Sequence, residues 1–233
     1  MTAASSPSPA LAAVKQRQQQ TWAAGDYAAV GARILLVSEL LCEAVDLRAG
    51  QRVLDVATGN GNTALAAARR FADVVGIDYV PALLERGRIR AEAEGLPVDF
   101  QDGDAEALPF ADAAFDMVLS TFGVMFAPNQ PQAAQELVRV CRPAGRIGLA
   151  NWTPDGFWGQ NFRLVAQRLP SAPGLAPPTR WGAEDELRAL FGDGITDLTA
   201  TPRQCVLRSR SPEHWLAFFR ANFGPTQKAF AAL

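Results

Sequence analysis

A single segment near residue 55 constrains the fold of this chain more than any other feature. From Val53 to Thr63, an apolar strand that carries Asp55 runs into a glycine turn and then into an alanine-rich helix. Gly59 and Gly61 have no Cβ, so the turn can adopt backbone dihedrals that are closed to other residues and can lie close to a ligand. This order of strand, glycine turn and helix predicts a nucleotide-sized pocket at the end of the strand.

The turn fits two kinds of cofactor. Residues 59–64 match the G-x-G-x-x-A pattern of dinucleotide-binding sites, with Asp78 as the downstream ribose acid. Asp55 argues against a dinucleotide, because two negative charges about 4 Å apart in a poorly screened cleft repel each other by roughly 4 kcal/mol. S-adenosylmethionine (SAM) has no phosphate and carries a positive ammonium and sulfonium, which Asp55 would attract. The charge favours SAM, with a dinucleotide or a turn that only packs as the alternatives.

Composition limits the classes of protein to which the chain can belong. Its 233 residues suffice for one α/β domain with a full core, and 48% hydrophobic and 20% charged residues are ordinary globular values. The net charge is −2, and lysine occurs only at positions 15 and 228. Since no stretch gathers the basic residues into a stripe that could follow a phosphate backbone, we expect a small-molecule substrate and no nucleic-acid partner.

Cysteine usage predicts neither a zinc site nor a disulfide framework. Cys42, Cys141 and Cys205 lie far apart, without a C-x-x-C pair or a neighbouring histidine. This usage is typical of a reduced, cytoplasmic protein. Residues 1–10, rich in serine, proline and alanine, are predicted to form a flexible tail, and no apolar run is long enough to insert into a membrane. The sequence leaves open whether the protein is a monomer or a homodimer.

Strands and helices alternate over most of the chain. The hydrophobic pattern predicts helices at 11–24, 27–45, 63–71, 81–94 and 131–141, and strands at 52–56, 74–77, 97–100, 115–120 and 145–150. Such alternation is typical of an α/β fold with a doubly wound, mostly parallel, Rossmann-like sheet and helices on both faces. The loops that follow the C-terminal ends of its strands should hold the ligand.

The pattern changes after residue 151. Helices are predicted at 157–168, 183–191 and 212–233, with a proline-rich connector at 170–178 and strand-like residues at 195–208. Four of the five tryptophans lie in this part, at positions 152, 158, 181 and 215. We therefore predict one domain over 11–233, composed of N-terminal helices (11–50), a cofactor-binding core (51–151) and a helical substrate cover with the sheet edge (152–233).

Acidic residues follow the second and third predicted strands. Asp78 ends the second strand, where a carboxylate can accept hydrogen bonds from both hydroxyls of a ribose, although Pro81 leaves a helix cap as the alternative. Tyr79 beside it could lie along an adenine face. Asp104 follows the third strand and could accept a hydrogen bond from an adenine amino group, whereas Glu106 is more typical of a solvated turn.

The fourth and fifth predicted strands end without acids. Ser120, Thr121 and Phe122 close the fourth strand beside the glycine turn and should line the reacting end of the cofactor. A catalytic metal would need carboxylates there and at 151–152, so no metal is expected. His214, the only histidine, is a weak candidate for a general base, and the opening turn of a helix is the simpler interpretation of its position.

Taken together, these segments resemble class I SAM-dependent methyltransferases, and most of all the group of C-methyltransferases of ubiquinone and menaquinone biosynthesis. The resemblance spans about residues 22–155 and is carried by the segments 53–61, 76–78, 104–110, 115–120 and 139–145. It implies that the methionine part of SAM lies over the glycine turn, the ribose at Asp78 and the adenine at Asp104 and Ala105. Trp22 to Tyr27 resembles a segment that closes over the cofactor in related enzymes, where the Tyr27 hydroxyl could reach the methionine carboxylate.

The chain departs from the family pattern in two places. Ala57 stands where many relatives have their first glycine, a change that the ubiquinone-type group tolerates. The family's sheet usually ends with an antiparallel seventh strand, so either residues 203–208 supply that strand or the chain lacks it.

The expected function is SAM-dependent methyl transfer, by in-line displacement, to a carbon or oxygen atom of a small, fairly hydrophobic metabolite. The alternatives are a SAM-binding protein of the same fold that transfers no methyl group and, less favoured, an NAD(P)-dependent oxidoreductase. The candidate cofactor-binding residues are Tyr27, Asp55, Ala57, Thr58, Gly59, Asn60, Gly61, Asp78, Tyr79, Asp104, Ala105, Glu106, Thr121 and Phe122.

Overall fold

A computed structural model describes residues 9–169 and 174–232 of the chain. Within them, five strands form one sheet: β1 (Arg52–Val56), β2 (Asp73–Asp78), β3 (Val98–Asp102), β4 (Phe115–Thr121) and β5 (Cys141–Ala150). The helices are α1 (Pro9–Ala23), α2 (Tyr27–Ala44), α3 (Asn62–Ala68), α4 (Pro81–Glu94), α5 (Gln130–Val140), α6 (Phe157–Arg168), α7 (Glu184–Phe191), α8 (Pro212–Asn222) and α9 (Gly224–Ala232). Short 3-10 turns lie at Val124–Phe126, Pro178–Gly182 and Gly192–Gly194.

All pairings in the sheet are parallel, and the strand order is β3-β2-β1-β4-β5. The order reverses between β1 and β4, where Val53 pairs with Val74 on one side and with Met117 on the other. In open α/β sheets the loops diverge at such a reversal, and a crevice opens at the carboxyl ends of the strands. The glycine turn after β1 therefore lies at the edge of this crevice.

Helices cover both faces of the sheet, as the continuous apolar strands predict. Val53 and Leu54 are consecutive and fully buried, and they belong to different hydrophobic clusters because successive side chains of a strand point to opposite faces. The cluster around Val53 includes Cys42 of α2 and Leu65 of α3, and the cluster around Leu54 includes Leu137 of α5. The prediction of a doubly wound α/β sheet is confirmed.

Several predicted boundaries shift. The helix predicted from residue 11 begins at Pro9, inside the segment assigned to a tail, while residues 1–8 lie outside the described part of the chain. The third helix ends at Ala68, before the predicted residue 71, because the backbone of Phe71 takes a positive φ of 60°. β5 begins at Cys141, four residues earlier than predicted, and its register shifts where Phe115 and Met117 pair with it.

The predictions for the C-terminal part are wrong in two respects. The described residues between 195 and 210 form no strand, so neither the predicted strand at 195–208 nor a seventh strand at 203–208 extends the sheet. The apolar pattern there has another cause, since Leu207 packs on an aromatic cluster beside the sheet. The helix predicted over 212–233 breaks at Phe223, whose extended backbone forms a bridge with Gly25. Residues 170–173 of the connector predicted at 170–178 lie outside the described residues.

Three glycines enclose the ring of Phe100 on β3. A Cβ on Gly87 of α4 or on Gly61 of the turn would lie 2.8 Å from a ring carbon of Phe100, and one on Gly76 of β2 would lie 3.1 Å from it. Atoms at 2.8 Å overlap, so the close packing of α4 and the turn on β3 requires glycine at 61 and 87. Phe100 itself is only 6% exposed.

Gly87→Ala is expected to lower the free energy of unfolding by about 1–3 kcal/mol, because the added methyl overpacks the core against Phe100. At an unhindered helix position the same change would raise stability by up to about 1 kcal/mol. Urea denaturation of the wild type, Gly87→Ala, Phe100→Leu and the double variant measures this. The destabilisation should shrink or reverse in the Phe100→Leu background, and an equal loss in both backgrounds would contradict the packing argument.

Candidate active site

A cavity opens over the carboxyl ends of β1, β2 and β4 and holds about 1420 Å³ of free space, including its mouth. Its floor is polar and comes from the strand ends and the glycine turn. The opposite side is apolar and comes from α1, α2 and the residues after β5.

Twelve of the fourteen predicted cofactor-binding residues line this cavity. They are Tyr27, Asp55, Ala57, Thr58, Gly59, Asn60, Asp78, Tyr79, Asp104, Ala105, Thr121 and Phe122. The other two lie elsewhere. Gly61 packs against Phe100, and Glu106 is buried behind Asp104 in a polar network. These two residues therefore do not line the cavity but pack behind its lining.

The glycine turn has a left-handed backbone at three positions. Ala57, Gly59 and Gly61 have φ values of 53°, 57° and 86°. A Cβ on Gly59 would meet no atom within 4 Å, so the backbone at this residue is open. Ala57 adopts the strained conformation that glycine would take without cost, and such outliers persist where surrounding structure enforces them, frequently at functional sites.

Asp55 is the most deeply buried acid of the cavity floor, with 1% of its surface exposed. Its Oδ2 accepts hydrogen bonds from Thr58 Oγ1 at 2.6 Å and from the backbone N–H of Ala64 at 2.9 Å. Among the described residues, no group donates a hydrogen bond to its Oδ1. Burial raises the pKa of Asp55 to about 7, a shift that these two hydrogen bonds oppose and the charge of Asp78 reinforces.

Asp78 lies at the end of β2 on the other side of the turn. Its Oδ2 accepts from the backbone N–H of Gly59 at 2.9 Å, and its Oδ1 accepts from that of Val80 at 2.9 Å. Burial raises the pKa of Asp78 to about 6, against the effect of these hydrogen bonds. The alternative role as a helix cap is not what the structure shows, because Val80 is the N-cap of α4 and no side chain caps it. Asp78 also lines the cavity, so the acceptor capacity that these bonds leave free is available to a ligand.

Lys15 of α1 pairs with Asp104, the acid that follows the third strand. Its Nζ lies 2.5 Å from Asp104 Oδ2 and 2.6 Å from Glu106 Oε2. Glu106 also accepts from the backbone N–H of Asn129 at 2.6 Å, so it is a buried, paired carboxylate and not the solvated charge that the sequence predicted. These contacts hold α1 over the part of the cavity that Asp104 lines.

Arg139 of α5 holds the segment that follows Asp104. It donates to the backbone carbonyls of Leu108 and Phe110, at 2.9 and 2.7 Å, and pairs with Glu136 at 2.7 Å. Glu136 in turn accepts from the backbone N–H of Leu108. The distant segments 104–110 and 139–145 of the sequence are thus parts of one hydrogen-bonded unit beside the cavity.

The end of β4 contributes one hydroxyl and one aromatic ring. Ser120 is buried against β1, where its hydroxyl donates to the carbonyl of Val56 at 2.7 Å. Contrary to the prediction, it does not line the cavity. Thr121 does, and its Oγ1 lies 2.8 Å from that of Thr63. Phe122 has a positive φ of 57° and stacks on Trp152, with ring centroids 3.8 Å apart and planes at 4°.

Aromatic side chains from separate parts of the sequence form the apolar side. They are Trp22, Phe122, Phe126, Trp152, Trp158, Phe162, Phe219 and Phe223. Most of these rings meet edge-on or tilted, as Trp22 and Phe126 do at a centroid distance of 4.7 Å. Tyr27 lies where the two sides meet, since its ring packs on Trp22 and burial together with the charge of Asp78 raises its pKa. The C-terminal part of the chain therefore contributes several rings to this side of the cavity.

His214 does not belong to this group of residues. It lies in the first turn of α8, where its backbone N–H is capped by Ser211 and its Nδ1 lies 3.3 Å from Ser209 Oγ. It does not line the cavity. Within residues 9–169 and 174–232, no group of three or more His, Cys, Asp or Glu side chains is arranged to hold a metal ion. Nor does any helix of that part of the chain combine the length and apolarity needed to cross a membrane.

Sequence reasoning pointed to Trp22 and Tyr27 in the N-terminal helices but missed four other residues there. Lys15, Gly31, Arg33 and Ser38 all line the cavity, although they precede the first strand. Ser38 completes a row of hydroxyls, since its Oγ lies 3.0 Å from Thr63 Oγ1. The only signal for these residues is that polar or small side chains interrupt the apolar faces of α1 and α2.

Comparison with known proteins places this geometry in a family. A family model described as a methyltransferase domain matches residues 53–145. The uncharacterized protein Rv1405c of Mycobacterium tuberculosis is 43% identical over 213 residues, a match that covers 90% of this chain and 78% of that protein. Demethylmenaquinone methyltransferase of Thermus thermophilus is 44% identical over 140 residues, which cover 57% of this chain and 64% of that enzyme.

A solved structure shares the same architecture. The YcgJ protein from Bacillus subtilis is 28% identical, with a TM-score of 0.56, and the match covers 67% of each chain. The matched family domain runs from β1 into β5 and contains the glycine turn, Asp55, Asp78 and Asp104. The chain belongs to the class I SAM-dependent methyltransferases.

Proposed function

We propose that this protein binds SAM in the polar half of the cavity and transfers its methyl group to a small, fairly hydrophobic metabolite in the apolar half. The observation that carries the proposal is the convergence of Asp55, Asp78 and Asp104, from the ends of three neighbouring strands, on one cavity whose other side is aromatic. Buried carboxylates attract a cationic ligand and repel a pyrophosphate, so the same charges disfavour a dinucleotide. The free thiols of Cys42, Cys141 and Cys205 support a cytoplasmic location.

The residues present fit the cofactor at specific atoms. Asp55 has an oxygen without a hydrogen-bond donor, which would accept from or attract the cationic methionine end. Asp78 retains acceptor capacity toward the cavity, which would bind the ribose hydroxyls. Gly59 leaves its backbone uncovered for close approach, and Asp104 with Ala105 would contact the adenine. When bound, SAM supplies a methyl group on a positive sulfonium that an acceptor atom displaces in line.

The chain promotes such a displacement by positioning and by exclusion of water. Thr121 and Phe122, at the end of β4, lie where the polar and apolar halves meet and would orient the reacting groups. Among the described residues, no histidine or carboxylate lines the aromatic half, so we propose that the acceptor reacts without a general base from the protein. A carbon or oxygen atom of an electron-rich ring or enol fits this condition.

Calorimetric titration with SAM and S-adenosylhomocysteine tests the cofactor assignment. Detection of S-adenosylhomocysteine released from SAM, across a panel of small aromatic and isoprenoid acceptors, tests the transfer. Micromolar binding of both nucleosides, with no binding of NADH, is the expected result. Failure of both nucleosides to bind would overturn the proposal.

Asp78→Asn is expected to weaken the binding of SAM by about 1.5–3 kcal/mol, the value of hydrogen bonds to a charged partner. The matched control is Asp73→Asn. Asp73 lies at the other end of the same strand, is exposed and does not line the cavity, so its replacement should leave the affinity unchanged. Equal affinities of the wild type and Asp78→Asn in calorimetry would show that the ribose lies elsewhere.

The affinity for SAM is expected to rise as the pH increases from about 5.5 to 7.5. The pKa values of about 7 for Asp55 and about 6 for Asp78 mean that both acids lose protons in this range, and the ionised forms attract the cation. Binding at pH 6.5 should therefore release protons, which calorimetry in buffers of different ionisation enthalpy measures. Asp55→Asn should remove the upper part of this dependence, and an unaltered profile in that variant would contradict the assignment.

The stability of the ligand-free protein should show the opposite trend. Because the folded-state pKa of Asp55 is raised above its unfolded value of 3.8, its stabilising contribution is complete below that pH and is lost as the pH rises through about 7. The midpoint of thermal unfolding without ligand should thus fall over this range, and less so in Asp55→Asn. A midpoint that rises with pH in the wild type and not in the variant would refute the raised pKa.

A further inference from the structure

The two sides of the cavity differ in charge as well as in polarity. Asp55, Asp78 and Asp104 lie on the floor at the strand ends. Among the described residues that line the cavity, Lys15 and Arg33 are the cations, and Lys15 is neutralised by its ion pairs with Asp104 and Glu106. Arg33 therefore supplies the one positive charge of the described lining that has no carboxylate within ion-pairing distance.

Arg33 lies at the aromatic side of the cavity. Its guanidinium carbon is 3.8 Å from the ring centroid of Phe218, and one of its nitrogens donates to the carbonyl of Arg208 at 3.3 Å. Phe218 and Leu207 pack on the aromatic cluster around Trp158, and Leu207 also lines the cavity. These contacts fix the guanidinium against the rim of the apolar half.

The contacts of Arg33 leave most of its hydrogen-bonding capacity unused. A guanidinium has five N–H donors in a planar fork, and the described residues accept from one of its nitrogens. A planar fork held on an aromatic face is well suited to bidentate binding of a carboxylate or a similar oxyanion. Arg33 is also exposed, unlike Asp55 and Asp78, which are buried at the strand ends where the methyl group would react.

We propose that the methyl acceptor is a flat aromatic or conjugated molecule with an anionic oxygen group at its outer end, and that Arg33 binds this group. This inference rests on the proposed function, because it takes the polar half to be filled by the cofactor. The aromatic rings would hold the body of the acceptor between the anionic end and the reacting atom. The cavity would then match a cationic cofactor at its floor and an anionic acceptor at its rim.

A pair of probes that differ only in charge tests the proposal. The protein is saturated with S-adenosylhomocysteine and titrated with 2-naphthoate or with its uncharged methyl ester, and binding is followed by quenching of the cavity tryptophans. Naphthoate should bind several-fold more tightly than the ester. Arg33→Gln should weaken the binding of naphthoate by about tenfold, the scale of a charge-assisted hydrogen bond at a partly exposed site. The affinity for the ester should stay within about twofold of the wild-type value.

Arg220→Gln is the matched control. Arg220 also lies over a phenylalanine ring, 4.8 Å from the centroid of Phe230, but does not line the cavity, so its replacement should affect neither probe. Equal affinities of the wild type for naphthoate and ester, or no binding of either, would overturn the proposal. An equal loss of affinity for both probes in Arg33→Gln would also overturn it and would indicate a structural role. A loss of S-adenosylhomocysteine binding alone would overturn it as well and would assign Arg33 to the cofactor.

The same titrations separate this inference from the proposed function. If S-adenosylhomocysteine binds and naphthoate shows no dependence on Arg33, the acceptor assignment fails and the methyltransferase function stands. If S-adenosylhomocysteine does not bind but naphthoate still depends on Arg33, the anion site stands and the proposed function fails.

Discussion

The rest of the site depends on one buried carboxylate. Asp55 accepts hydrogen bonds from Thr58 and from the backbone of Ala64, and so fastens the end of β1 to the glycine turn and to the first turn of α3. These bonds fix the shape of the turn at the point where the strand order reverses. Because the carboxylate is almost fully buried, its charge is costly without a cation nearby. The fold thus contains a site that a positive ligand would stabilise.

The elements around Asp55 contribute chemically different groups to the cavity. The parallel strands supply backbone groups and carboxylates. Short hydrogen bonds hold these carboxylates in fixed orientations. The N-terminal and C-terminal helices supply aromatic rings, and the N-terminal ones also supply Lys15 and Arg33, the cations of the described lining. Since the bridge between Gly25 and Phe223 joins these two groups of helices, the cover over the site is one packed unit although its parts lie at opposite ends of the sequence.

Sequence reasoning located residues at the cavity where local pattern and chemistry coincide. Asp78 could be located because it ends an apolar strand, and the structure brings it beside Asp55 and Gly59. The reasoning failed for Gly61 because a glycine in a turn looks the same whether it faces a ligand or, as here, Phe100 of a distant strand. It failed for Glu106 because the partner that neutralises it, Lys15, is 91 residues away in a helix with no motif.

The sequence by itself determined the alternation of strands and helices, the glycine turn and the acids at three strand ends, because each of these depends on local periodicity or on the residue that follows a strand. Only the tertiary structure decided which aromatic residues face the cavity, that residues 195–208 add no strand, and that Arg33 reaches the apolar half. The reason is that burial and charge pairing are properties of contacts between distant segments, and such contacts exist only after the helices have packed on the sheet.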